Sequence, residues 1–141
     1  MTGSSRLSEV CVWLISARED LDQAAAVVSQ EIGRPRHACF YAQQSVEKVL
    51  KGALIFSGIA WTRTHDLDEL RNLLPAGWSV AAAHPVLARL TEFAVEVRYP
   101  DSQVKATAVD AQLAVTQAQA VWATITADLR RRGFDVNVEL T

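Results

Sequence analysis

The residues best suited to chemistry lie in the first half of the chain, where Gln44, Glu47, Lys48 and Lys51 recur at i, i+3, i+4 and i+7. On a helix that spacing gathers the four side chains onto one strip. The two lysines offer point charges to a phosphate, and the Gln44 amide offers a donor and an acceptor to a base or a ribose. The plainer reading of the same strip is a solvated helix face steadied by a Glu47–Lys51 pair worth about 0.2–0.5 kcal/mol.

A second set lies further on. Arg98 carries a planar, always-charged fork suited to phosphate or carboxylate, and Asp101 follows it just ahead of the last helical block. Placed there, Arg98 is expected beside the N-terminal amides of that block, which form a ready anion site. The competing reading makes Asp101 the cap of the last helix and Arg98 the partner of the preceding carbonyls. His65 is the one side chain here nominated for acid–base work near neutral pH, against a structural role at a helix start. Arg98 and His65 are thus the catalytic candidates; Gln44, Glu47, Lys48, Lys51, Arg98 and Asp101 are the ligand-binding candidates. His84, directly before Pro85, reads as the residue that leads into a helix. His37, between Arg36 and Ala38, reads as part of a solvated turn or a basic rim. Arg130, Arg131 and Arg132 are an RNA contact or, more plainly, cations favoured at a helix C-terminus. The tryptophans read as core or interface anchors, with base stacking a further use for Trp61.

The elements that must position these residues are all helical. Leu7, Cys11, Leu14, Arg18, Leu21, Ala25 and Val28 keep helical spacing over 7–30, interrupted by Arg18, with Val10, Ala17 and Ala24 beside them and Ser4 or Ser5 as cap. Pro35 opens a second helix over 35–57. Its apolar face holds Ala38, Ala42, Ser45, Val46, Val49, Ala53 and Phe56, and its other face holds His37, Tyr41 and the strip described above. Gly52 and Gly58 weaken and end it. Thr64 caps a short helix over 65–74, closed by Pro75 and Gly77. Pro85 opens a fourth helix with Val86, Leu90, Phe93 and Val97 as its apolar line, and Pro100 stops it. Val104, Ala108, Ala111, Val115, Ala118, Trp122, Ile125 and Leu129 then mark one long seam over 103–132, with a frayed tail over 134–140. The expectation is one domain over 1–141, core 7–131, with four long helices and one short one.

A chain of 141 residues buries roughly 68–70% of its unfolded surface, enough for a core without staples. Fourteen basic residues against 16 acidic ones give a net charge of −2, so nucleic acid has to be met by a local patch rather than a basic surface. Cys11 and Cys39 both fall on apolar faces, which suits buried thiols in a reducing compartment; no zinc spacing exists, and no cofactor is expected. No apolar run nears the roughly 20 residues of a membrane span, and the first residues lack the apolar segment of a signal peptide. A cytoplasmic protein is expected.

The stretches CFYAQQSVEKVLKGALIFSG, THDLDEL and VRYPD, in that order before a long final helix, resemble the HEPN (higher eukaryotes and prokaryotes nucleotide-binding) domain, as does the first helix with Trp13, Ala17, Asp20 and Leu21. The resemblance implies an up-and-down antiparallel four-helix bundle that pairs as a homodimer. It also implies binding of a nucleotide or RNA, and a minimal nucleotidyltransferase as partner in a toxin–antitoxin module. Many such domains are metal-independent ribonucleases using Arg-x(4–6)-His. Here no histidine follows Arg98, and none of His37, His65 and His84 completes the spacing from Arg34, Arg36, Arg63 or Arg71. The resemblance is to the branch carrying Arg98-Tyr99-Pro100-Asp101, and the expected role is binding rather than catalysis. Two alternatives stand beside it: a ribonuclease using Arg98 with a non-standard acid–base group, and a purely structural oligomerising helical protein.

Overall fold

The computed structural model describes residues 3–98 and 105–141, with side chains at 5–93 and 105–141. Over these residues the chain forms helices and no strand: α1 (Gly3–Ser29), α2 (Pro35–Phe56), α3 (Leu67–Asn72), α4 (Val80–Ala83), α5 (Ala88–Arg98), α6 (Ala108–Arg131) and α7 (Val136–Glu139). The four long helices are the ones expected from periodicity. Three short ones accompany them where one was expected.

Helix direction follows from which residues meet. Trp13 stands beside Lys51, Asp20 beside Lys48, and Val27 beside Gly33, so α1 and α2 form an antiparallel hairpin across the short turn at 30–34. Arg18 covers Trp122 and the Cys11 thiol lies 3.8 Å from the Glu139 carbonyl, which sets α6 and the tail against α1. Gln117 donates to the Val86 carbonyl and Arg89 to Asp110, so α5 runs opposite to α6. The four directions alternate.

The core is made of small and branched side chains. In α1 the buried line is Val10, Leu14, Ala17, Leu21 and Ala24, one residue round from the line expected; Leu7 is 40% exposed. Arg18, the interruption in the expected line, marks that offset, since its guanidinium lies out over the Trp122 ring. Ser4 and Ser5 fall inside α1 rather than at its cap. In α2, Ala38, Ala42, Val46, Val49 and Ala53 are buried as expected, and so are Leu50 and Leu54. Gly52 permits the hairpin to close: a Cβ there would stand 3.1 Å from Leu14 Cδ2. Its role is close approach of two helices, not helix termination.

The remaining helix boundaries move for identifiable reasons. Asp66, not Thr64, caps α3, its Oδ1 accepting from Glu69 N at 3.1 Å. Within α3, Asp68 Oδ1 accepts from Arg71 Nη1 at 2.6 Å and, from beyond the helix, from Leu87 N at 2.9 Å, while Arg71 also donates to the His84 carbonyl. This clamp delays α5 to Ala88, buries Leu87, and leaves Val86 65% exposed. Thr107 and Asp110 form a reciprocal capping box at the start of α6, so that helix begins at 108 rather than 103. The expected cap Asp101 and the seam residue Val104 lie outside the described residues. Ala111, Val115, Ala118, Ile125 and Leu129 hold the seam, Ala108 is exposed, and Trp122 is half-buried. The tail is ordered by Phe134, buried with its ring 6.0 Å from that of Phe56, and by α7, which Asp135 caps. Cys39 is buried and Cys11 half-buried, and no disulfide joins them. Among the described residues no helix is long and apolar enough to cross a membrane.

Candidate functional site

Helix α2 is covered on both faces, because α1 packs along the side that carries the polar strip. The strip is therefore not a solvated face. The Glu47 side chain is 7% exposed and that of Lys51 12%. A carboxylate at that depth must be fully hydrogen-bonded or shed its charge, and Glu47 meets this with three side-chain partners. Oε1 accepts from Gln43 Nε2 at 3.1 Å and lies 2.8 Å from His65 Nδ1, and Oε2 accepts from Lys51 Nζ at 3.1 Å. Burial pushes this carboxyl up; the hydrogen bond from His65 and the charge and hydrogen bond of Lys51, with the His65 charge, outweigh it and hold Glu47 below the usual carboxylate range.

Lys51 is enclosed from its other side by two indoles. Its Nζ stands 5.4 Å from the Trp13 ring centre and 5.6 Å from that of Trp61, and the two rings meet edge to face at 6.0 Å. Lys48 reaches across to α1, donating to Ser16 Oγ at 2.8 Å and Asp20 Oδ2 at 2.7 Å. Gln44 donates to Gln43 Oε1 at 2.8 Å. The structure thus brings Gln44, Glu47 and Lys51 into one network with His65, while Lys48 belongs to a neighbouring interhelical pair. Both lysines are already partnered, so a phosphate would have to displace Asp20 or Glu47 to use them.

His65 joins a site that the sequence left in two parts. Its side chain is 46% exposed while its Nδ1 is tied to the buried Glu47. A carboxylate held against one imidazole nitrogen fixes the ring's orientation, the arrangement that acid–base histidines use. Sequence reasoning missed Gln43, Trp13, Asp20 and Ser16 as members of this region. Gln43 had a signal, since it precedes Glu47 by one helical turn; the α1 residues had none without the hairpin register. Arg98 is the last residue of α5, whose Thr91 hydroxyl accepts from Leu67 N at 3.2 Å at the start of α3. The Arg98 side chain and Asp101 lie outside the described residues.

The other candidates settle into local roles. His84 Nε2 lies 3.1 Å from Thr124 Oγ1, and burial holds this imidazole below its ordinary range against an opposing bond to the Ala120 carbonyl. Arg131 and Arg132 serve the fully buried Asp128, which also accepts from Ser79 N at 2.7 Å and Ser79 Oγ at 2.9 Å. Arg132 lies 4.3 Å over the Trp78 ring. Among the described residues no group of three or more His, Cys, Asp or Glu is placed to hold a metal ion.

Comparison with known proteins bears on the same stretch of chain. A family model described as HEPN domain matches residues 10–129. The crystal structure of TT1696 from Thermus thermophilus is similar over 85% of this chain and 98% of its own, at 29% identity and a TM-score of 0.74. The crystal structure of ST0689, an archaeal HEPN homologue, is similar over 85% and 97% at 27% identity and a TM-score of 0.61. No curated protein sequence matches the chain.

Proposed function

The chain belongs to the HEPN domain family, and from that premise we propose that it is a binding module for a nucleotide or RNA. Its ligand face is formed by Gln44, His65 and the end of α5 that carries Arg98. It works as a homodimer alongside a minimal nucleotidyltransferase, in a module of the toxin–antitoxin kind. The observation that carries the reading is the 2.8 Å Glu47–His65 contact, which holds an exposed imidazole on a buried anionic support. Glu47, Lys51 and the two indoles act as that support rather than as direct ligands, since their polar atoms already engage one another. Asp101 and Lys48 are assigned a secondary part, in which their charge tunes the face.

Titration of the purified protein with ATP and with fluorescein-labelled oligouridylate tests the reading. The His65→Ala and Arg98→Ala variants are each expected to bind at least about tenfold more weakly, as loss of a charge-assisted hydrogen bond requires. Wild-type affinity in both variants, or no binding by the wild type, would sink it.

A second reading rests on the same contact. A carboxylate-oriented imidazole is also what a metal-independent ribonuclease needs, and in this reading His65 moves the proton and Arg98 stabilises the phosphate. Cleavage of end-labelled RNA in EDTA that vanishes in either variant would establish it, and intact RNA in every reaction would exclude it.

A further inference from the structure

The turn from α1 into α2 carries Arg34, Arg36 and His37 around Pro35, at the positive end of a 22-residue helix. The helix dipole disfavours cations there and favours acids or a Ser/Thr cap. The first turn of α2 contains no acid, and among the described residues neither Arg34 nor Arg36 takes part in an ion pair. The placement therefore works against helix stability and leaves the two guanidinium groups available to an anion.

Two clefts meet at this turn and share Val27 and Gly33. One, of about 280 Å³, lies between the hairpin helices and is lined by Gln23, Val27, Ile32, His37 and Tyr41. The other, of about 380 Å³, extends to the start of α6 and has both Arg34 and Glu31 in its wall. Gly33, at φ +80°, bends the chain so that Arg34 N–H donates to His37 Nδ1 at 3.2 Å. In its neutral form that ring carries its proton on Nε2 and is a donor there. Ile32 is 52% exposed, so an apolar wall, an aromatic ring and a donor line one groove, with Arg34 in the wall of the cleft beside it and Arg36 exposed on the same turn.

We infer that this groove is a nucleobase-and-phosphate subsite for single-stranded RNA. A base stacks on Tyr41 against Val27 and Ile32, His37 Nε2 donates to a base acceptor, and Arg34 and Arg36 take the adjoining phosphate. Such a combination of stacking ring and cationic rim is how strand-binding grooves hold RNA without reading a long sequence. His37, Tyr41 and Gln44 follow one another at i, i+4 and i+7, so the subsite runs on toward His65 along about 10 Å of helix. The inference rests on the nucleotide or RNA reading above and assigns that ligand a second point of attachment.

Fluorescence anisotropy with labelled oligouridylate at several salt concentrations provides the test. The Arg34→Ala/Arg36→Ala protein is expected to bind at least about tenfold more weakly, with a salt slope reduced by between one and two. Tyr41→Leu is expected to weaken binding about tenfold with the salt slope unchanged. Both should stay helical, and the double variant should melt no lower than the wild type, because it loses cations from a positive helix end. Wild-type affinity and salt slope in both variants, while His65→Ala and Arg98→Ala lose binding, would overturn the subsite and leave the wider reading intact. A double variant that melts lower yet binds normally would also overturn it. Failure of the wild type to bind RNA or ATP would remove the wider reading and the subsite together.

Discussion

Among the described residues two carboxylates are buried, and they are satisfied in different ways. Asp128 is fully buried in α6 and takes its hydrogen bonds from the Ser79 amide, the Ser79 hydroxyl and Arg131. Glu47 is buried in α2 and takes its bonds from Gln43, Lys51 and His65. Each region also has a cation against indole, Arg132 on Trp78 in the first and Lys51 between Trp13 and Trp61 in the second. The difference lies in what the partners can do. A backbone amide has one position and one charge state, so Asp128 fixes the start of α4 to the end of α6. The partners of Glu47 are side chains, and one of them is an imidazole that is 46% exposed and so open to a ligand. The first region is a staple of the fold and the second is the support of a surface group.

The sharpest test of that contrast is to remove each carboxylate. Asp128→Ala leaves a buried amide, a hydroxyl and Arg131 without their acceptor, and is expected to cost about 3–5 kcal/mol in urea unfolding with ligand affinity unchanged among molecules that remain folded. Glu47→Ala strands Lys51 between two indoles and releases His65. It is expected to cost about 3 kcal/mol and also to weaken RNA binding at least as much as His65→Ala does. A Glu47→Ala protein that loses stability but binds RNA normally would make the second region another staple. A smaller effect separates the lysines. Lys48→Met breaks a pair whose side chains are 24% and 18% exposed, and should cost about 1 kcal/mol or less. Lys51→Met should cost more, because its ammonium is nearly enclosed and its loss leaves Glu47 with an unmatched charge.

How much of this is legible in the sequence depends on whether the partner is near in the chain. The four long helices follow from 3.6-residue periodicity, and the buried face of α2 follows from it too, because local spacing decides it. The expected α1 core line is one residue off, since Leu7 and Cys11 are as apolar as Val10 and only packing chooses between adjacent lines. Helix starts escape the sequence where the deciding bond comes from outside the helix. Leu87 N bonds to Asp68 across 19 residues and holds α5 back to Ala88, past the proline that looks like its first residue. At the candidate site, spacing groups Glu47 with Lys51, but the same spacing suggests a solvated face. Only the hairpin register, which brings Trp13 and Asp20 onto that face, converts it into a buried network. His65 stands out as a residue type without its partner, because 18 residues and a loop separate it from Glu47.

The finest distinction between the two regions is in the acid limb of stability. Glu47 is held below the usual carboxylate range, so the unfolded chain takes up that proton more readily than the folded one. Its contribution is complete above the unfolded value of about 4.3 and is lost as pH falls through the lower folded value. His84 acts in the same direction at higher pH. Burial depresses its folded value, so from about pH 6.5 downward the unfolded chain binds a proton first and stability declines. Urea midpoints at pH 7, 6, 5 and 4 are therefore expected to fall steadily in the wild type. Glu47→Gln should flatten the part below about pH 5 while leaving the His84 part in place, and His84→Gln should do the reverse. If Glu47→Gln keeps the full wild-type slope below pH 5, the carboxyl protonates in the folded protein without cost. His65 and Lys51 would then not be holding it charged, and the contrast with Asp128 would fail at its physical root.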